Sequence, residues 1–189
     1  MSAEFGGVKI GPQRRADSAS AHLQPPGASS FALVNDLDLK LGGAFPLSLR
    51  AWYTHIGAVD LRGTHHRLCP VPNGDDNARE LRLADPLVIV PIEWLLESFS
   101  DWSSGIWGEQ PFKLELWPDD LHKANLSGGS YDIALSGPCG DAVLLDWHSF
   151  YFVDYLRCVF EWGWFPGSER YPNAPTDEIE YLIRDLLTL

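Results

Sequence analysis

Cysteine is scarce in this chain, and long apolar runs are missing. Three Cys (Cys69, Cys139 and Cys158) in 189 residues are an odd number with no paired spacing. That argues against a disulfide framework and suits a reducing compartment. Crossing a bilayer takes roughly 20 consecutive apolar residues. The longest candidate, Phe150 to Phe165, is interrupted by Asp154, Arg157 and Glu161. The opening Met-Ser-Ala-Glu-Phe-Gly-Gly has neither the basic start nor the apolar segment of a secretory signal. A cytosolic protein is expected.

Positive charge is also in short supply. The chain has 14 Lys and Arg against 26 Asp and Glu, a net charge of −12. A surface of that sign repels a phosphate backbone and an anionic membrane, so neither nucleic acid nor membrane is an expected partner. A basic protein would be steered toward it. The acidity also serves solubility, and charge by itself says nothing about fold. Motifs of catalysis are absent too. There is no P-loop, no GxSxG, no HExxH and no dinucleotide glycine pattern.

Apolar residues are plentiful at 45%, with 12% aromatic and eight Trp. One sizeable core can be built from that, within a single domain. Trp carries a large apolar area and an N–H that wants a partner. Some of the aromatic excess is therefore available to face another molecule.

Residues 1–30 are rich in Ser, Ala, Gly, Pro and Gln and read as an arm, irregular or partly disordered. Residues 31–189 read as one α+β domain. Phe31, Leu33, Val34, Leu37 and Leu41 recur at helical spacing until Gly42-Gly43. Pro46 opens a second helix through Trp52 and Tyr53, closed by Gly57. Val59 to Leu61 and Leu87 to Val90 read as short strands. Ile92 to Phe99 fits either a short helix or a continuing strand. Phe112 to Trp117 and Tyr131 to Leu135 alternate with period two, and Ala142 to Trp147 returns as a hairpin partner. Phe150 to Glu161 is the most regular helical pattern, with Ser149 as its candidate N-cap. A last helix opens at Thr176-Asp-Glu. The expected architecture is a largely antiparallel sheet flanked by two N-terminal and two C-terminal helices.

Three groups of residues invite a chemical reading. His65-His66-Arg-Leu-Cys69 is the most metal-like, but zinc needs three or four converging ligands, and adjacent His on an extended chain point apart. Cys139 could act as a nucleophile only with a base such as His148, and its Gly-Pro-Cys-Gly-Asp context is explained by a hairpin turn. No catalytic residue, metal or other cofactor is expected. The carboxylates Asp75 and Asp76 sit in the turn-rich 64–84 loop, either as solvated surface or as contacts to a basic partner. The segment Asp101 to Pro111 places Asp101, Trp102, Trp107 and Glu109 together. Aromatic anchors flanked by charge suit the centre of an interface, or else the two Trp plug a gap between sheet and helix.

Leu41-Gly-Gly-Ala-Phe-Pro-Leu-Ser-Leu-Arg-Ala-Trp-Tyr-Thr-His-Ile-Gly57 resembles the signature of the SUKH superfamily, bacterial immunity proteins related to fungal cell-wall regulators. In that pattern a helix ends in Gly, a Leu-Pro or similar step follows, and a second helix bears an aromatic residue and closes on Gly before the first strand. Pro46, Leu49, Trp52, Tyr53 and Gly57 stand at those positions, while Ile56 replaces the usual Asn. The likeness is sharpest over residues 37–63 and topological beyond. It implies a non-enzymatic fold that binds a toxin or another protein through a concave sheet face. The functional expectation is thus a non-catalytic protein-binding module, an immunity protein that neutralises a basic toxin. The alternative is a small enzyme or a metal- or small-molecule-binding protein using the 64–84 loop.

Overall fold

A helix that ends on two glycines sets the geometry of the N-terminal half. The computed structural model describes residues 23–61, 87–106, 108, 110–117, 131–135, 137–145, 149–163 and 176–184. Helix α1 (Ser30–Lys40) buries Val34 and Leu37 one turn apart. Gly42 and Gly43 follow with positive φ, and their N–H groups donate to the carbonyls of Leu39 and Asp38. This is the Schellman closure, which needs a left-handed residue past the helix end. The chain turns back into α2 (Leu47–His55), which buries Leu49, Trp52 and Tyr53. Pro46 stands at its N-cap, one residue before the helix. Pro46 brings no side-chain cap, so the two exposed donors of the first turn look elsewhere. Leu47 N–H donates to Cys139 O (3.2 Å), and Ser48 N–H to Gly140 O (3.0 Å). Arg50 fastens α2 to α1 by donating to Asn35 (2.6 Å) and Asp38 (2.5 Å).

Gly57, at φ 90°, releases the chain into β2 (Ala58–Asp60). β2 is the centre of a three-stranded antiparallel sheet, with β1 (Leu23–Gln24) on one side and β3 (Val88–Ile89) on the other. The end of the N-terminal arm is therefore an edge strand. Two residues past β3, the chain enters α3 (Ile92–Ser103). This settles the open reading of Ile92 to Phe99 as helix. It also carries the helix four residues further, because Leu95, Leu96, Phe99 and Trp102 continue the apolar spacing.

β4 (Leu114–Trp117) pairs antiparallel with β5 (Tyr131–Ile133) in a second sheet. Val90 N–H donates to Leu116 O (2.8 Å), which ties the two sheets together. The ladder shifts between Glu115 and Trp117. A bulge of this kind breaks strict alternation, so Leu116 and Trp117 are both buried although adjacent. The strand pairing continues through bridges of Ile133 with Leu144 and of Val143 with Tyr151. The expected hairpin of 131–135 with 142–147 is present in this form as far as Leu145, and residues 146–147 lie outside the described residues.

α4 (Phe152–Glu161) closes the core with Phe152, Tyr155 and Val159. Ser149 does not cap it, contrary to expectation. Tyr151 holds the N-cap position with no side-chain cap, and Ser149 lies outside the helix at φ 53°. The cap comes instead from Asp141, whose carboxylate accepts Val153 N–H (3.2 Å) and Ala142 N–H (2.8 Å). α5 (Thr176–Ile183) begins where the Thr-Asp-Glu signal puts it. The class is α+β, with two helices at each end as expected. The strands divide into two small antiparallel sheets rather than one, with α3 between them in the chain. One continuous core joins both sheets to α1, α2, α3 and α4.

Candidate functional site

The outer face of the second sheet carries what the core does not use. Glu115 and Asp132 are direct cross-strand partners. Leu145 N–H donates to Asp132 O (2.8 Å), so Leu145 lies beside Asp132 on the next strand. Cross-strand partners share a face, and side chains alternate along each strand. Leu144 and Ile133 therefore point into the core, fully buried, while Val143 and Leu145 point out. Tyr151, the bridge partner of Val143, extends the same outer row. Leu145 is 48% exposed and Tyr151 55%. Apolar groups on a half-covered sheet usually turn inward, so this exposed row is unusual.

Next to this row is a groove of about 320 Å³, lined by residues that include Trp102, Phe112, Lys113, Glu115 and Asp132. It runs between the end of α3 and the sheet. Trp102 and Phe112 form its aromatic wall, and Phe99 packs against both, with ring centroids 5.1 to 5.5 Å apart. The Trp102 indole N–H donates to Gln110 O (2.6 Å), which satisfies its polar end and fixes the ring. Lys113 pairs with Asp132 at 3.1 Å, the lysine half exposed and the aspartate mostly covered.

Of the sequence candidates, Asp101 and Trp102 are thus helical rather than in a loop. Trp102 is half-buried in the ring cluster and lines the groove. Asp101 is exposed on the same last turn of α3, outside the groove lining. Trp107 and Glu109 lie outside the described residues, as do Asp75, Asp76 and the whole 64–84 loop with His65, His66 and Cys69. His148 does too, so the Cys139–His148 pairing has no geometry to report. Among the described residues no three His, Cys, Asp or Glu converge on one point. No described helix is long and apolar enough to cross a membrane.

No family model, curated protein or solved structure matches this chain. Sequence reading missed Val143, Leu145 and Tyr151. Ala142-Val-Leu-Leu is a continuous apolar run, and only the pairing of Ile133 with Leu144 tells which members face out.

A second, smaller cavity of about 110 Å³ lies behind Gln24 to Gly27, with Tyr53 and Glu93 in its wall. Burial raises the Tyr53 phenol well above its ordinary value, and the neighbouring Glu93 charge adds to this. An unfolded tyrosine ionises near about pH 10. Tyr53 therefore contributes stability that is complete below that pH and is lost as pH rises toward the folded value. The loss amounts to about 1.4 kcal/mol per pH unit above 10. Urea unfolding across that range is expected to show a steeper decline in the native protein than in Tyr53→Phe. Equal slopes would contradict this.

Proposed function

We propose that the chain is a non-catalytic protein-binding module that docks a basic partner on the outer face of its second sheet. In this reading it is an immunity protein that masks a toxin domain. The observation that carries the docking face is the exposed apolar row of Val143, Leu145 and Tyr151 beside the Glu115–Asp132 pair. Interface centres combine apolar and aromatic anchors with a polar rim. The net charge of −12 favours encounter with a basic surface. The immunity part rests on the likeness of Leu41 to Gly57 to the SUKH signature. The order α1, Gly-Gly turn, α2, Gly57, β2 is in keeping with that pattern.

The test is titration calorimetry with the purified product of the adjacent gene, at low and high ionic strength. Binding is expected to weaken with salt. The double variant Val143→Asp, Leu145→Asp is expected to lose about a hundredfold in affinity, as removal of central anchors does. Both positions are exposed, so circular dichroism should show an intact fold. If that product does not bind, or binds the double variant as well as the native protein, the reading is wrong.

A further inference from the structure

The strap from Gln24 to Gly27 covers the cavity of about 110 Å³, whose other walls include Ser30, Tyr53, Ile92 and Glu93. Tyr53 is 1% exposed, and its hydroxyl has no hydrogen-bond partner among the described residues. A buried hydroxyl left in that state is costly and rare. Glu93 stands in the same wall and its charge bears on the phenol, so the hydroxyl end of the ring is the end at the cavity. Ser30, itself buried, brings a second hydroxyl to this space. The backbone around it is divided into donors and acceptors. Pro25 and Pro26 carry no N–H, so the middle of the strap offers only carbonyl oxygens. Among the described residues no backbone N–H donates to either of them. The start of α3 is the reverse. Pro91 gives it no side-chain cap, so the N–H groups of Ile92 and Glu93 have no acceptor within the helix.

We propose that this cavity is a site for a cluster of about three internal waters, which bond Tyr53 Oη and the first N–H groups of α3 on one side and the carbonyls of Pro25 and Pro26 on the other. The chemistry of the wall selects this occupant. Donors at α3 and acceptors along the strap are both satisfied only by a ligand that accepts and donates. A cation would meet the positive end of the twelve-residue helix α3. An anion would meet the Glu93 carboxylate. A metabolite needs a pocket of roughly 300 Å³ or more. Apolar cavities stay dry, but a polar one with several partners fills, each internal water making about three hydrogen bonds. The consequence is mechanical. Gln24 ends β1 and begins the strap, so the edge strand is held to β2 by its ladder and to α2 and α3 through water. The site shares no residue with the docking face, and either can fail alone.

The ligand is water, so it is detected directly on the full chain. A crystal structure at high resolution is expected to place ordered waters within hydrogen-bond reach of Tyr53 Oη. In solution, the Ile92 and Glu93 amides are expected to show NOE and ROE cross-peaks of opposite sign to water, the mark of a molecule held far longer than surface hydration. Tyr53→Phe keeps the shape of the ring and removes the anchor. It should lose the water nearest position 53 and speed hydrogen exchange in the β1–β2 ladder about fivefold, the equivalent of one lost hydrogen bond, while α4 exchanges as before. The amide spectrum of the variant reports whether it is folded, and the measurements on the native chain stand without it. A cavity that proves dry, or that holds an ion or an organic molecule, overturns the proposal. So does a Tyr53→Phe protein whose waters and β1–β2 exchange match those of the native chain.

Discussion

Gly57→Ala is expected to lower the thermal midpoint by roughly 6–12 °C, corresponding to about 3 kcal/mol or more in a chain of this size. Two penalties add. Gly57 has φ 90°, where an L-residue pays on the order of 1–2 kcal/mol. Its added Cβ would also stand 2.1 Å from Gln24 O and 3.0 Å from the Pro25 carbonyl carbon. Those are backbone atoms of the strap leading out of β1, so relief requires the strand to move off β2. Gly42→Ala is the control. It carries a positive φ of 66° with nothing within 4 Å of the new Cβ, so it should pay only the backbone part, about 1 kcal/mol. Melting curves of the two variants decide the matter. A Gly57 variant no worse than the Gly42 variant would remove the close approach from the account.

Trp117→Ala is expected to cost about 3–5 kcal/mol, a loss typical of a large aromatic removed from a closed core. Trp117 is fully buried and stacks on Tyr155 with centroids 5.0 Å apart at 23°. This stack is one contact between the second sheet and α4. Urea unfolding should show the midpoint fall with little change in slope. A double-mutant cycle of Trp117→Leu with Tyr155→Leu separates the stacking itself, expected at roughly 0.5–1.5 kcal/mol, from the area each ring buries. By contrast Trp94 is 42% exposed on α3, and its replacement by alanine should change stability by no more than about 0.5–1 kcal/mol. Equal losses at both positions would mean that the core is not centred where Trp117 and Tyr155 meet.

Helices were the most legible part of the chain because each carries its own punctuation. Gly42-Gly43, Pro46, Gly57 and Thr176-Asp-Glu mark ends that local backbone chemistry enforces. Where the partner of a group lies far away in the chain, that legibility fails. Ser149 is the residue type a helix start calls for, yet Asp141 caps α4 across a bend. Phe31 falls in the apolar spacing of α1 yet is 61% exposed, because which residues of a stripe are covered depends on what packs there. The same limit governs the site. Trp102 was visible as an aromatic beside a carboxylate. Its place in a ring cluster, and the outward row of Val143, Leu145 and Tyr151, depend on strand pairings that no local pattern encodes.

The carbonyls of Cys139 and Gly140, which receive the first N–H groups of α2, give the fold a timetable. A chain emerging from a ribosome presents α1 and α2 early, and local helices form far faster than distant segments meet. α2 must then wait, with its leading donors bonded only to water, until the turn at residues 137–141 has been synthesised and brought back to it. The N-terminal pair of helices is thus an unfinished unit during synthesis, and it is completed by the same turn whose Asp141 starts α4. A single late-arriving corner serves as the latch for helices at both ends of the protein.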